Sequence, residues 1–151
     1  MTKRIEDEIQ STNFRSEFHK ASLNIIFTSY WISNQNTEIF KKYQLTPQQY
    51  NVLRILRGRH PEPCTLLSIR DRMIDRMSDV SRIVERLRLA GLVDRSSCEE
   101  DRRAVDVTIT QKGLDLLTIM MQEETTMDAV MKNITVEEAR TLNDILDKMR
   151  D

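Results

Sequence analysis

Glycine is scarce in this chain: its 151 residues hold three, at positions 58, 91 and 113. Proline is equally rare, with three, and aromatic residues make up 5%. A β-sandwich needs frequent turns rich in glycine and proline, so this poverty favours long helices. Cys64 and Cys98 lie too far apart in sequence for a metal or redox spacing and fit a reducing compartment. There is no run of about eighteen apolar residues and no signal-peptide pattern, so a soluble, cytoplasmic chain without a membrane partner is expected. His19 and His60 have no partner at ligand spacing, which leaves neither a metal nor another cofactor to expect. A glycine-rich phosphate loop, a His-Glu metal motif and a nucleophile–base pair are all missing, so the expectation is that the chain is not an enzyme.

Charge is present but unevenly spread. The formal net charge of −1 argues against a simple basic nucleic-acid binder. From Thr46 to Arg103, however, twelve arginines and no lysine face nine acids, a surplus of three positive charges. From Ala104 onward five bases face ten acids. A middle segment whose only strong bases are arginines suits forked contacts to phosphate and guanine. The length corresponds to one domain with a sizeable core.

The rest of the chain is organised around residues 77–109. Val80, Ile83, Val84 and Leu87 recur at helical spacing and predict one buried stripe. At about 100° per residue, the opposite side carries Ser78, Arg82, Glu85 and Arg86. Gly91 is placed to stop that helix in a left-handed conformation. Leu92-Val93 and the alternating Val105, Val107 and Ile109 then predict a hairpin around the charged tip Glu99-Glu100-Asp101-Arg102-Arg103. A helix with a cationic outer face followed by a basic-tipped hairpin is a winged helix. The helix fits a major groove, and the tip reaches phosphate or the minor groove.

Residues 1–12 read as a short or frayed helix. Residues 13–43, free of proline and glycine, read as one helix about 45 Å long. A compact globule of this size has a radius of gyration of about 15 Å, so so long a helix points to a second chain, with an elongated monomer as the alternative. Thr46-Pro47-Gln48-Gln49 predicts a capped helix start. A short helix over about 66–74 would bury Leu66, Ile69 and Met73 and form the first half of a helix-turn-helix. After the hairpin, one helix is expected from Thr110 toward Met131. A second, opened by the capping box Thr135-Val136-Glu137-Glu138, carries a seam of Val136, Ala139, Leu142, Ile145, Leu146 and Met149.

Three short motifs in this order, Gly91-Leu92-Val93-Asp94-Arg95, Asp101-Arg102-Arg103 and Ile109-Thr110-Gln111-Lys112-Gly113, resemble the multiple antibiotic resistance regulator (MarR) family of bacterial winged-helix repressors. The family has leucine where this chain has Ile109. The resemblance is specific over the central sixty residues or so and agrees in helix order across nearly the whole chain. It implies a mainly α fold with a small β-hairpin wing, a winged helix-turn-helix over 46–110, and long dimerisation helices in 1–45 and 111–151. It implies a homodimer whose ends, about 13–43 and 111–151, interleave, bound as a repressor to a pseudo-palindromic double-stranded DNA operator. Carried over by position, Ser78, Ser81, Arg82 and Arg86 fall on the groove-facing helix, Arg103 on the minor-groove wing arginine with Arg102 beside it, and Asp101 on the acid that braces the wing. Release by a small, often aromatic effector is implied as well. The oxidant-sensing variant of the family uses a cysteine near the first long helix, and this chain has none before Cys64.

Other readings of the same residues stand beside these. Arg82 and Arg86 also suit a solvated helix face, with Arg86 paired to Asp79 or Glu85. Ser78 and Ser81 suit helix capping, and Glu85 either selects cytosine or orients an arginine. Phe27, Trp31 and Tyr50 could line an effector cavity or simply fill the core. Cys98 is an inert thiol or a regulatory one among basic residues. A different class, a winged helix that binds protein and not DNA, is the alternative for the whole chain.

Overall fold

The computed structural model describes residues 3–97 and 104–151. Its contacts divide the chain into two units, Met1–Glu38 and Ile39–Asp151. The first holds α1 (Ile5–Glu8) and most of α2 (Glu17–Lys42). Here Ile5 is buried, Lys20 pairs with Glu6, and the Lys20 ammonium lies 5.7 Å from the Phe14 ring centroid. Much of the apolar stripe of α2 stays uncovered, with Phe18 86% and Tyr30 68% exposed.

The second unit is the winged helix. The final turn of α2 leads through Gln44, at φ 55°, into Leu45, whose amide bonds back to Phe40 O at 3.1 Å. Phe40 and Leu45 are buried together, so this turn is fixed by an apolar contact as well as by the backbone. Then α3 (Pro47–Arg57) starts on the expected capping box: Gln49 N donates to Thr46 Oγ1 at 3.1 Å and Thr46 N to Gln49 Oε1 at 2.8 Å. Its Val52, Leu53 and Leu56 form the centre of the core with Ile69, Val84, Leu87 and Val107.

The sheet has three strands, not the two of a hairpin. β2 (Val93–Ser97) and β3 (Val105–Ile109) pair antiparallel with Arg95 opposite Val107, as the alternation predicts. The two-residue β1 (Cys64–Thr65) covers the other edge of β3, giving the order β1-β3-β2. Cys64 is 2% exposed there.

α2 starts at Glu17 and not at residue 13, and the boundaries of the two helices that follow β1 also differ from the sequence reading. α4 spans Leu66–Arg70 only, and Ile74, the expected end of that helix, is 90% exposed. The last turn tightens into bonds from Arg72 N to Ile69 O and Met73 N to Arg70 O, while Ile74 N is taken by the Asn51 side chain. α5 (Val80–Leu89) begins after Ser78, because the Asp79 carboxylate caps it by accepting Arg82 N at 3.1 Å. Its end is as expected: Gly91 sits at φ 73°, and Leu92 N reaches Leu87 O at 2.9 Å.

α6 (Gln111–Met120) is capped by Thr110, whose hydroxyl also donates to Gly91 O at 2.7 Å. The expected continuous helix to Met131 is instead broken into a 3₁₀ turn, α7 (Glu124–Asp128) and a second 3₁₀ turn. At that break Glu123 accepts bonds from Lys42 and Tyr43, and Glu124 from Arg54. α8 (Val136–Lys148) starts on the Thr135/Glu138 capping box and buries none of its residues. Its seam residues Leu142, Ile145 and Met149 are 39%, 53% and 58% exposed.

Gly113 explains its own motif. A Cβ there would stand 2.5 Å from Leu92 O and 2.7 Å from Ile109 Cγ1. The carbonyl is not free to yield, since it accepts Thr110 N at 3.1 Å. Alanine is worth about 1 kcal/mol over glycine inside a helix, but overpacking costs about 1–3 kcal/mol or more. Gly113→Ala is therefore expected to lower stability by about 1–2 kcal/mol in urea unfolding, and an unchanged midpoint would refute the clash.

Candidate nucleic-acid interface

The outer face of α5 is presented by the packing of its inner one. Val80, Val84 and Leu87 are buried, which at helical spacing turns Ser81, Arg82 and Arg86 outward, and all three are exposed. Ser78 lies in the bend before the helix and is half-buried. With Asp79 as cap, the hydroxyls of Ser78 and Ser81 are not used for capping. Arg82 and Arg86 make no ion pair among the described residues, neither to Asp79 nor to Glu85.

Glu85 serves other arginines. Its carboxylate accepts Arg88 Nε at 3.0 Å, Arg88 Nη2 at 2.8 Å and Arg95 Nη1 at 3.2 Å. These bonds, those of Arg88 first, pull the Glu85 carboxyl down to about 2 from its ordinary 4.5. A lowered folded-state value means that this contribution is complete above the ordinary carboxylate range and lost only as pH falls toward 2. At neutral pH Glu85 thus offsets Arg88 and Arg95, and among the described residues Arg82 and Arg86 keep their charge unshared.

A shallow groove of about 270 Å³ runs along this face, lined by Thr46, Gln48, Asp75, Ser78, Asp79, Arg82, Ile83 and Arg86. It brings Ser78, Arg82 and Arg86 together and adds Thr46 and Gln48 from the start of α3, which the sequence reading did not single out. Only the capping box marked that helix start, and it carried no hint of the groove. The wing residues Asp101, Arg102 and Arg103, and Cys98 beside them, lie outside the described residues.

A second, larger cleft of about 620 Å³ is lined by Phe40, Pro47, Tyr50, Asn51, Arg54, Ile74, Glu124, Met127 and Asp128. Phe40 and Tyr50 meet with ring centroids 5.4 Å apart. Arg54 Nη1 spans Tyr50 Oη at 3.0 Å and Glu124 Oε1 at 2.8 Å. Of the three aromatic residues singled out for an effector, Tyr50 is in this lining, while Phe27 and Trp31 are on α2 in the first unit, half-buried and 41% exposed. Among the described residues no cluster of His, Cys, Asp and Glu could hold a metal, and no helix is long and apolar enough to cross a membrane.

Comparison with known proteins gives this geometry a family. Residues 45–113 match the model of a winged helix DNA-binding domain. The transcriptional repressor IacR of Pseudomonas putida is 31% identical over 130 residues, covering 80% of this chain and 76% of the relative. A MarR transcription factor from Planctomyces limnophilus has a crystal structure similar to this one, at 33% identity and TM-score 0.69 over 91% of this chain and 98% of that one. Bordetella bronchiseptica BpsR is similar at 25% identity and TM-score 0.72, over 85% and 97% of the two chains. With a capped, arginine-faced α5, a three-stranded base for the wing and the glycine-locked entry to α6, this chain belongs to the MarR family of DNA-binding winged-helix transcriptional regulators.

Proposed function

We propose that the chain acts as a homodimeric repressor of a pseudo-palindromic operator, released when a small aromatic molecule occupies the cleft beside Tyr50. The observation that carries the reading is the pair Arg82 and Arg86, exposed, without an ion pair among the described residues and lining the groove along α5. Each subunit would place α5 in a major groove with Ser78 and Ser81 near phosphate. By sequence position, Arg102 and Arg103 would follow in the flanking minor groove, braced by Asp101. The uncovered apolar seam of α8 and stripe of α2 support a second copy as the partner. The cleft's volume lies within the ordinary range for small-molecule sites. In BpsR, DNA binding is regulated by 6-hydroxynicotinic acid, which makes a small aromatic ring a reasonable occupant to propose here.

Footprinting on the DNA upstream of its own gene, followed by a salt titration of the protected duplex, tests the reading. With about six phosphate contacts per dimer, log K is expected to fall with a slope of about −5 against log salt. Absent binding, or binding indifferent to salt, would favour the protein-binding alternative.

A further inference from the structure

One stretch of chain touches both the cleft and the groove. Ile74 lines the cleft, while Asp75, Ser78 and Asp79 line the groove beside Arg82 and Arg86. The stretch has apolar anchors only at its ends, Met73 at 4% and Val80 at 6% exposure. Between them Ile74 and Met77 are 90% and 93% exposed, so no buried side chain holds the turn in place. Hydrogen bonds do that instead. Asp75 Oδ1 accepts Met77 N at 3.0 Å and Asp75 O accepts Ser78 N at 3.2 Å, both within the turn. Among the described residues, the one side-chain bond from outside the turn is Asn51 Oδ1, on α3, accepting Ile74 N at 3.0 Å.

We propose that Asn51 is the positioning residue that ties the wall of the cleft to the DNA-facing start of α5. Asn51 itself lines the cleft. Its carbonyl fixes Ile74, the internal bonds of the turn carry that placement to Asp79, and Asp79 caps α5. Its amide nitrogen has no hydrogen bond among the described residues. An occupant that offers an acceptor can be met by that nitrogen while Oδ1 keeps the Ile74 N–H, which holds the turn as it is. An occupant that offers a donor competes directly for Oδ1. The second route loosens the turn and the first does not, so Asn51 makes the setting of α5 depend on what lies in the cleft. This adds a mechanism to the repressor reading and rests on it for its DNA arm only.

The test compares Asn51→Ala and Asn51→Ser, which remove an acceptor at that reach, with Asn51→Asp, which keeps one. Amide hydrogen exchange at Ile74 and through Ser78 is expected to quicken about tenfold in the first two and to stay near wild type in Asn51→Asp. Affinity for the footprinted duplex should fall about five- to tenfold in the same two variants, with the aspartate variant closer to wild type. Equal global stability of wild type and Asn51→Ala excludes general loosening, and alanine is a good residue for a helix interior. Unchanged Ile74 exchange in Asn51→Ala overturns the proposal whether or not DNA is bound. Wild-type protein that fails to bind DNA overturns the repressor reading and leaves the exchange result to decide this one.

Discussion

Arg82→Ala combined with Arg86→Ala is expected to weaken operator binding by more than a hundredfold, about 2.7 kcal/mol per half-site pair at about 1.4 kcal/mol per decade. The size follows from symmetry and from which arginines are free. The proposed dimer loses four guanidinium groups at once, none of them ion-paired among the described residues. Arg88 is the internal control. It already donates twice to Glu85, so Arg88→Ala is expected to change affinity less than threefold, in keeping with the small worth of exposed ion pairs. Fluorescence anisotropy on the footprinted duplex, at two salt concentrations, reads both effects. The double variant should also flatten the salt slope, because fewer phosphates are neutralised. A double variant that binds like wild type would place the DNA-reading face elsewhere on the chain.

Leu142→Asp with Ile145→Asp is expected to convert the proposed dimer to single subunits at micromolar concentration, read by sedimentation velocity. α8 buries no residue within its own chain, so these side chains do little for the fold of one subunit. In a two-fold interface they occur twice, and four carboxylates would have to be dehydrated without partners. That cost of several kcal/mol outweighs what a few half-exposed leucine and isoleucine side chains contribute at about 25 cal/mol per Å². The helical circular dichroism of the subunit should persist while DNA affinity falls with the loss of the second half-site. A variant that still sediments as a dimer would move the interface away from α8.

The elements that could be read in the sequence are those whose signal is local. Thr46 and Thr135 announce their helices because a cap and its N3 partner lie three residues apart, and both capping boxes form. Gly91 marks a stop because only the left-handed turn after α5 needs it. What escaped reading depends on residues far apart in sequence. The strand β1 is two residues long and exists through β3, some forty residues later. α4 stops early where Asn51, 23 residues before, takes the Ile74 amide. The helix after Met120 breaks where Glu123 and Glu124 meet Lys42, Tyr43 and Arg54. On the candidate face, periodicity alone put Arg82 and Arg86 outward. It did not choose Asp79 over the neighbouring serines as cap, since all three residue types can accept the amide two or three residues on. Glu85 was open between two roles, and its bonds to Arg88 and Arg95 decide for orienting arginines.

That carboxylate has a mechanical consequence. It grips Arg88 on α5 and Arg95 on β2 together, and in sequence β2 runs up to the stretch that holds Asp101-Arg102-Arg103. A swivel of α5 is therefore felt at β2, to the modest extent that half-exposed ion pairs can transmit it. In the proposed complex, an operator that asked α5 and the flanking residues to sit at another offset would strain that link, so spacing within each half-site would count along with its letters.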